Sequence, residues 1–367
     1  MQTKISNKSN NEESLLTNAQ TYFIEQIAPQ AALLDQDTEA LKQAFQEMGE
    51  RGLLGLNIPQ KWGGKAVSET IYRRFQILIA RYSGALAFLQ TQHQGAIAKL
   101  IASPNAPLKQ TYLPLMATGE TLIGVGFSQL RRHGKPLMQA TPVTGGYQLT
   151  GTVPWITGWN IFEKFIIGAT LPTSETLYAI VPFREKEGLS FSPPMELAVM
   201  GVTNTVSATL TDWFLPSDRL VSLHPPGTVQ ESDRKNVLHH GFFALGCAQA
   251  GLDILEQACH HKSLPFLQTA WDSLNNELIQ CSQGMLGSLC PDRVPYERRL
   301  QLRGWAINLA NRCSQAAVTA SSGGANFLSH PAQRVYREAL VFTVLGQTQE
   351  VMEETLKQLL SDEFKTI

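Results

Sequence analysis

The chain has 367 residues, 30 basic against 31 acidic side chains and 43% hydrophobic residues. That balance leaves no field to steer a polyanion or an anionic membrane surface, which excludes nucleic-acid binding as the leading reading. No apolar run approaches the roughly 20 residues that cross a bilayer, so a cytoplasmic protein with a small-molecule substrate is expected, with no nucleic-acid or membrane partner.

The opening MQTKISNKSNNEESL is polar, lacks an apolar signal core and reads as a frayed leader. From about residue 12 to 120 the pattern is helical, as in TEALKQAFQEMGERGLLGL and SETIYRRFQILIARYSGALAFLQTQHQGAIAKLI, with a loop at NIPQKWGG marked by Pro59, Gly63 and Gly64. From about 121 to 225, short β-branched and aromatic runs (TLIGVGF, GYQLTGTVPWIT, KFIIGAT, LYAIVPF, TVSATLTDWFL) alternate with turns such as TGG and PTSE. These predict an antiparallel barrel or sandwich. From about 229 the helical pattern returns. NVLHHGFFALGCAQAGLDILEQAC is apolar nearly all round and predicts a buried helix, and Val351, Met352, Thr355, Leu356, Leu359 and Leu360 form one face of a terminal helix.

The fold class expected is therefore α+β multidomain: an N-terminal helical domain (1–120), a middle β domain (121–228) and a C-terminal four-helix-type domain (229–367). The five cysteines are odd in number and show no CxxC spacing, so they read as reduced, mostly buried thiols. His260 and His261 are neighbours that a helix points about 100° apart, so no metal site is expected there.

The arrangement resembles the acyl-CoA dehydrogenase family over nearly the whole chain, through RGLLGLNIPQKWGG, YLPLMATGE, GYQLTGTVPWITG and PAQRVYREALVF. The resemblance implies an FAD-dependent oxidoreductase acting on CH–CH groups, with FAD rather than FMN, an acyl thioester as substrate, and a homodimer or homotetramer. By the Trp-Ile-Thr match, Trp155, Ile156 and Thr157 line the flavin ring, and Phe127 and Ser128 of GVGFSQ form a second wall. A flavin is flat and apolar on its faces with polar edges, which suits an indole beside a hydroxyl. Taken alone, Trp155 reads as an ordinary core residue of the β domain. Gly323 and Gly324 match a segment that approaches the diphosphate of a neighbouring subunit's FAD, although a plain helix-ending turn is the local alternative. Thr348 matches a Thr near the cofactor, and Arg337 with Glu338 reads as a structural ion pair.

The substrate side departs from the family. Its catalytic Glu falls on Gly346 and the alternative base position on Asn236, neither of which takes a proton. The CoA-binding loop is replaced by LRRHGKP, and the Arg that meets CoA falls on Val237, with Arg234 about one turn away. An Arg for the FAD diphosphate is replaced around HHKSLPF, leaving Lys262, and a Gln before the double Gly is Ala320. Glu350 and Glu231 are the carboxylates that can serve as base, although each reads first as a solvated surface group. Dehydrogenation is accordingly expected to be altered or lost. The alternatives are a flavin-dependent monooxygenase on the same scaffold and a non-catalytic flavin-binding relative.

Overall fold

A computed structural model describes the backbone of residues 2–360, with side chains from residue 10 onward. Helices α1 Gln2–Tyr22, α2 Ala31–Leu34, α3 Thr38–Glu50, α4 Glu69–Tyr82, α5 Gly84–Ala102 and α6 Ala106–Thr118 come first. Strands β1 Ile123–Gly126, β2 Met138–Val143, β3 Gly146–Ile156, β4 Lys164–Thr170, β5 Thr176–Pro182, β6 Leu189–Phe191, β7 Val206–Pro216 and β8 Leu220–His224 follow. The chain then returns to helices α7 Thr228–Lys235, α8 Gly241–Lys262, α9 Pro265–Gly287, α10 Tyr296–Ser321, α11 Pro331–Val344 and α12 Gln349–Leu360. The helices–strands–helices order is the one read from hydrophobic periodicity.

Three local expectations are corrected. The polar N-terminal stretch is not frayed but helical from Gln2, Met1 lying outside the described residues. It contains neither Pro nor Gly to stop a helix, and Glu12 accepts hydrogen bonds from the Ser68 amide (2.9 Å) and hydroxyl (2.7 Å) while Glu13 pairs with Arg74. The strands form a mixed sheet among the described residues, in the order β6-β7-β3-β2-β4-β5-β8, because β1 and β2 both run parallel to β4. Alternation reports which face of a strand is buried, not the direction of its neighbour. On α12 only Val351 and Thr355 of the six-residue face are buried, whereas Met352, Leu356, Leu359 and Leu360 are exposed.

The residues group into two compact units, each assembled from separate stretches of chain. One comprises residues up to Asp35, Ser68–Ala87 and Asp233 onward; the other comprises Gln36–Val67 and Phe88–Ser232. The second unit holds the sheet. Its core packs Ile97, Leu100, Leu108, Leu113 and Met116 of α5 and α6 against Ile123, Ile166, Tyr178, Ile180 and Val221 of the strands. In the first unit, α8 is the buried helix the sequence predicts, with Phe242, Phe243, Leu245, Cys247, Leu252 and Leu255 at most 1% exposed. Burying each Phe contributes about 1.5–3 kcal/mol. Helix α4 comes so close that a Cβ on Gly246 would lie 2.3 Å from the Ile77 carbonyl oxygen and 2.7 Å from Ala80 Cβ. Only a residue without a side chain permits that approach. Four of the five cysteines are buried and free, and Cys290 is exposed. Burial pushes Cys281 and Cys313 up to about 12, so these thiols stay protonated and inert.

His93 on α5 is fully buried in the second unit. The Ile123 amide donates to Nδ1 (3.3 Å), which leaves the proton on Nε2 to bond the Met116 carbonyl (3.3 Å). The ring is thus neutral, and desolvation lowers its pKa to about 4. Below pH 6.5 the unfolded chain takes up this proton and the folded chain does not, so the contribution is complete above 6.5 and is lost as pH falls toward 4. We predict up to about 3 kcal/mol of acid-linked destabilisation from this residue. Denaturant unfolding of His93→Gln measured from pH 7 to pH 4 should give a flatter stability profile than the unaltered chain.

Candidate active site

In the sheet-bearing unit, the sequence-derived residues gather at the ends of β1 and β3. β3 contains Pro154, which has no amide to give to the ladder, and its pairing with β7 slips between Val153 and Ile156. Such a bulge re-aims the neighbouring side chain. Trp155 accordingly stands 47% exposed near the end of the strand, between the buried Val153 and Ile156. Ile156 points the other way, fully buried, and a Cβ on Gly126 of β1 would sit 3.0 Å from its Cγ1. The two strand ends therefore adjoin, and the residue after each, Phe127 and Thr157, flanks the contact. The Thr157 carbonyl oxygen lies 3.4 Å from where a Cβ on Gly124 would be.

The five residues differ in what they present. Ser128 is exposed at the start of a short helical turn. Phe127 is partly buried with its ring edge-on to Tyr178 at 5.5 Å, and Lys99 Nζ lies over both rings at 5.6 and 3.7 Å. Thr157 is 5% exposed and shares a 2.9 Å hydrogen bond with the hydroxyl of Thr205, itself buried. Trp155 and Ser128 thus supply an exposed indole and an exposed hydroxyl, Phe127 packs on Tyr178 under Lys99, and Ile156 is buried against Gly126. An exposed aromatic face beside polar groups fits a flat heteroaromatic ligand such as a flavin ring. Glu231 is exposed on α7, a helix with no buried residue.

In the other unit, Gly323 and Gly324 occupy a tight turn after α10, entered through Ser322 at φ +54°. A Cβ on Gly323 would meet nothing within 4 Å, and one on Gly324 only His330 at 3.7 Å, so the backbone here is open to an approaching group. Lys262 donates to the Ala320 carbonyl (2.7 Å) and the Ser322 hydroxyl (3.1 Å), so it braces this turn. Arg337 and Glu338 are not paired with each other, because adjacent helical residues diverge. Arg337 pairs with Asp35, and Glu338, 1% exposed, with Arg334 at 2.7 Å.

The segment carrying the expected base positions is cationic. Gly346 has φ +61°, and a Cβ built on it would lie 2.3 Å from His240 Cδ2 and 2.6 Å from Nε2. The imidazole of His240 fills the space of the missing side chain. Arg303, 1% exposed, donates to the Leu345 carbonyl (2.6 Å) and the Val237 carbonyl (3.2 Å), holding both stretches. Desolvation lowers its pKa to about 9. Arg299 donates to the Lys235 carbonyl at 2.7 Å. His239 is held well below its ordinary value by burial first, then by Arg73, His240, Arg303 and Arg299.

Glu350 lies in the first turn of α12, 3.9 Å from Arg234, whose guanidinium stacks 4.0 Å over Tyr296. A bond from its own backbone amide, then one from Thr348, lowers its pKa, which suits a helix-start carboxylate better than a proton acceptor. The Thr348 hydroxyl accepts from the Val351 amide (3.3 Å), capping the same helix. Periodicity missed both His240 and Arg303. The His239–His240 doublet ahead of the buried helix was the available signal, while a buried Arg inside α10 has none.

Residues 9–120 match the sequence model of a family described as acyl-CoA dehydrogenase, N-terminal domain. The chain is similar to a mitochondrial isovaleryl-CoA dehydrogenase from Pongo abelii, 23% identical over 330 residues covering 86% of this chain and 75% of that one. It is also similar to a probable acyl-CoA dehydrogenase from Bacillus subtilis, 24% identical over 364 residues covering 91% and 94%. Among solved structures it resembles a glutaryl-CoA dehydrogenase from Mycobacterium smegmatis in complex with FADH2, with a TM-score of 0.82, 15% identity, and 95% of this chain and 94% of that one covered.

The Thr157–Thr205 bond gives a test of local architecture. Thr157→Val leaves a buried hydroxyl without its partner and should cost about 1–3 kcal/mol in urea unfolding. Adding Thr205→Val should recover most of that loss. Additive losses in the double variant would mean that the two hydroxyls do not interact.

Proposed function

Because the chain belongs to the acyl-CoA dehydrogenase family, we propose that it is an FAD-dependent oxidoreductase acting on the CH–CH group of an acyl thioester, with the usual carboxylate base replaced. The observation that supports this reading is the half-exposed Trp155, turned outward where the β3–β7 register slips around Pro154, on a strand end whose Ile156 adjoins Gly126, two residues before the exposed Ser128. The flavin supplies a hydride acceptor when bound. Trp155, Ser128 and Phe127 would hold its ring, with Ile156 and Thr157 fixing the strand end behind it, and Thr348 stands as a further contact by resemblance. Gly323 and Gly324 leave backbone open to the cofactor of a neighbouring subunit. The three consecutive stretches, 1–120, 121–228 and 229–367, are read as its domains, and the cytoplasm as its compartment. No helix among the described residues is long and apolar enough to cross a membrane.

Purified protein should be yellow, and anaerobic acyl-CoA should bleach it. Trp155→Ala should weaken FAD binding by about tenfold or more in fluorescence titration, since an aromatic contact with its buried area contributes about 1–2 kcal/mol. Protein that stays colourless with excess FAD refutes the reading. Gly346 supports one alternative, a flavin-dependent monooxygenase, which needs no base at that position; flavin reduced only through a separate reductase would favour it.

The proposed oligomer is supported by an apolar stripe on α11, where Tyr336, Leu340 and Val344 are each about half exposed at i, i+4 and i+8. Light scattering should give a dimer or tetramer, and Leu340→Glu should dissociate it. A monomer with full FAD occupancy would contradict this assembly.

A further inference from the structure

Where the stretch before α3 meets the turn that enters α11, the first unit contains a cavity of about 200 Å³. Ala28, Pro29 and Ala31 line it from one stretch of chain, Leu328 and Pro331 from the other, and Asp35 and Arg334 supply its charged groups. A cavity of roughly 150 Å³ already admits a benzene-sized molecule, so this one accommodates a ring of that size with a polar head. Its 328–334 wall is fixed by hydrogen bonds. His330, which also lines the cavity, accepts the Ala332 amide on Nδ1 at 3.1 Å and so caps α11. The His330 amide donates to the Phe327 carbonyl at 2.9 Å, and Gln333 donates to the Leu328 carbonyl.

The polar lining is short of one hydrogen bond. The Asp35 side chain is 4% exposed and that of Arg334 10%. Arg337 pairs with Asp35 Oδ2, and Arg334 gives Nη1 to Glu338 at 2.7 Å. Asp35 Oδ1 is buried and meets no donor. A carboxylate oxygen left bare inside a protein is costly, so a donor that reaches it is favoured. The two guanidiniums and two carboxylates cancel, so a charged ligand would keep a charge that nothing here compensates. An uncharged head is required, with a donor for Asp35 and an acceptor for Arg334.

We propose that this cavity binds a small uncharged carboxamide with a short apolar body, its N–H donating to Asp35 and its carbonyl accepting from Arg334. A primary amide carries donor and acceptor on one planar group, which neither a carboxylate nor an ammonium does. The alanine, proline and leucine side chains take the body out of water. The site lies within one unit and needs no flavin.

Ligand-detected NMR titration of the full chain tests this with four probes that share a phenyl ring and differ in the head. Benzamide should bind saturably with a Kd of about 1 mM or tighter. Acetophenone, which has a methyl in place of the amide nitrogen, should bind about tenfold more weakly, and benzoate and benzylamine at least as weakly as that. Ala32 lines the rim and is exposed, so Ala32→Trp should leave thermal unfolding unchanged while the indole blocks benzamide. Acetophenone binding as well as benzamide, or either charged probe binding better, overturns the assigned head group. No saturable binding by any probe means that the cavity holds only water and overturns the site, as does undiminished benzamide binding in Ala32→Trp.

Discussion

A buried arginine ties two distant turns of this protein together. Arg303 is taken out of water and donates to backbone carbonyls, Val237 on one side and Leu345 on the other. Desolvating a guanidinium costs several kcal/mol before its hydrogen bonds offset the loss. The fall of its pKa to about 9 has that origin. What this geometry secures is register: the turn leading into α8 and the turn leading into α12 are tied to one side chain of α10. The juxtaposition of His240 with Gly346 follows from that tie. Gly346 needs its left-handed backbone and empty side-chain space, and both are consistent with the ring that occupies it.

The sheet-bearing unit solves a different problem by a comparable economy of residues. Strand β3 must pack Ile156 against Gly126 and still present an aromatic ring to the outside. With Val153 buried, regular alternation would turn Trp155 to the same buried face. Pro154 removes an amide from the ladder, the register slips, and Trp155 is turned outward. Thr157, immediately beyond, ties its hydroxyl to Thr205 and so fixes the strand end. The feature that makes the segment resemble a flavin-binding motif is thus also a local backbone irregularity with a stated cause.

Charge gathers around the turn that leads into α8: burial first, then Arg73, His240, Arg303 and Arg299, holds His239 well below its ordinary value. Glu338 shows the contrast: burial pushes its pKa up and Arg334 pulls it down, an arrangement that binds helix ends through the Gly84 amide and performs no visible chemistry.

Much of the architecture was legible in the sequence, because periodicity records which face of an element meets the core. The helical segments, the strand-rich middle and the all-round apolar α8 all follow from 3.6-residue and 2-residue patterns, and the Trp-Ile-Thr segment with the double glycine pointed to the family. Strand direction, by contrast, was not encoded in alternation, so the parallel pairing of β1 and β2 with β4 came only with the fold. The polar start of α1 read as fraying because composition alone does not reveal that Glu12 meets Ser68, 56 residues later. For the same reason Arg337 and Glu338 read as a pair when their partners are Asp35 and Arg334. The sequence alone determined that position 346 carries no base. Only tertiary structure decided that the ring of a histidine 106 residues earlier occupies the side-chain space there, since that contact depends on two distant turns held by one buried arginine.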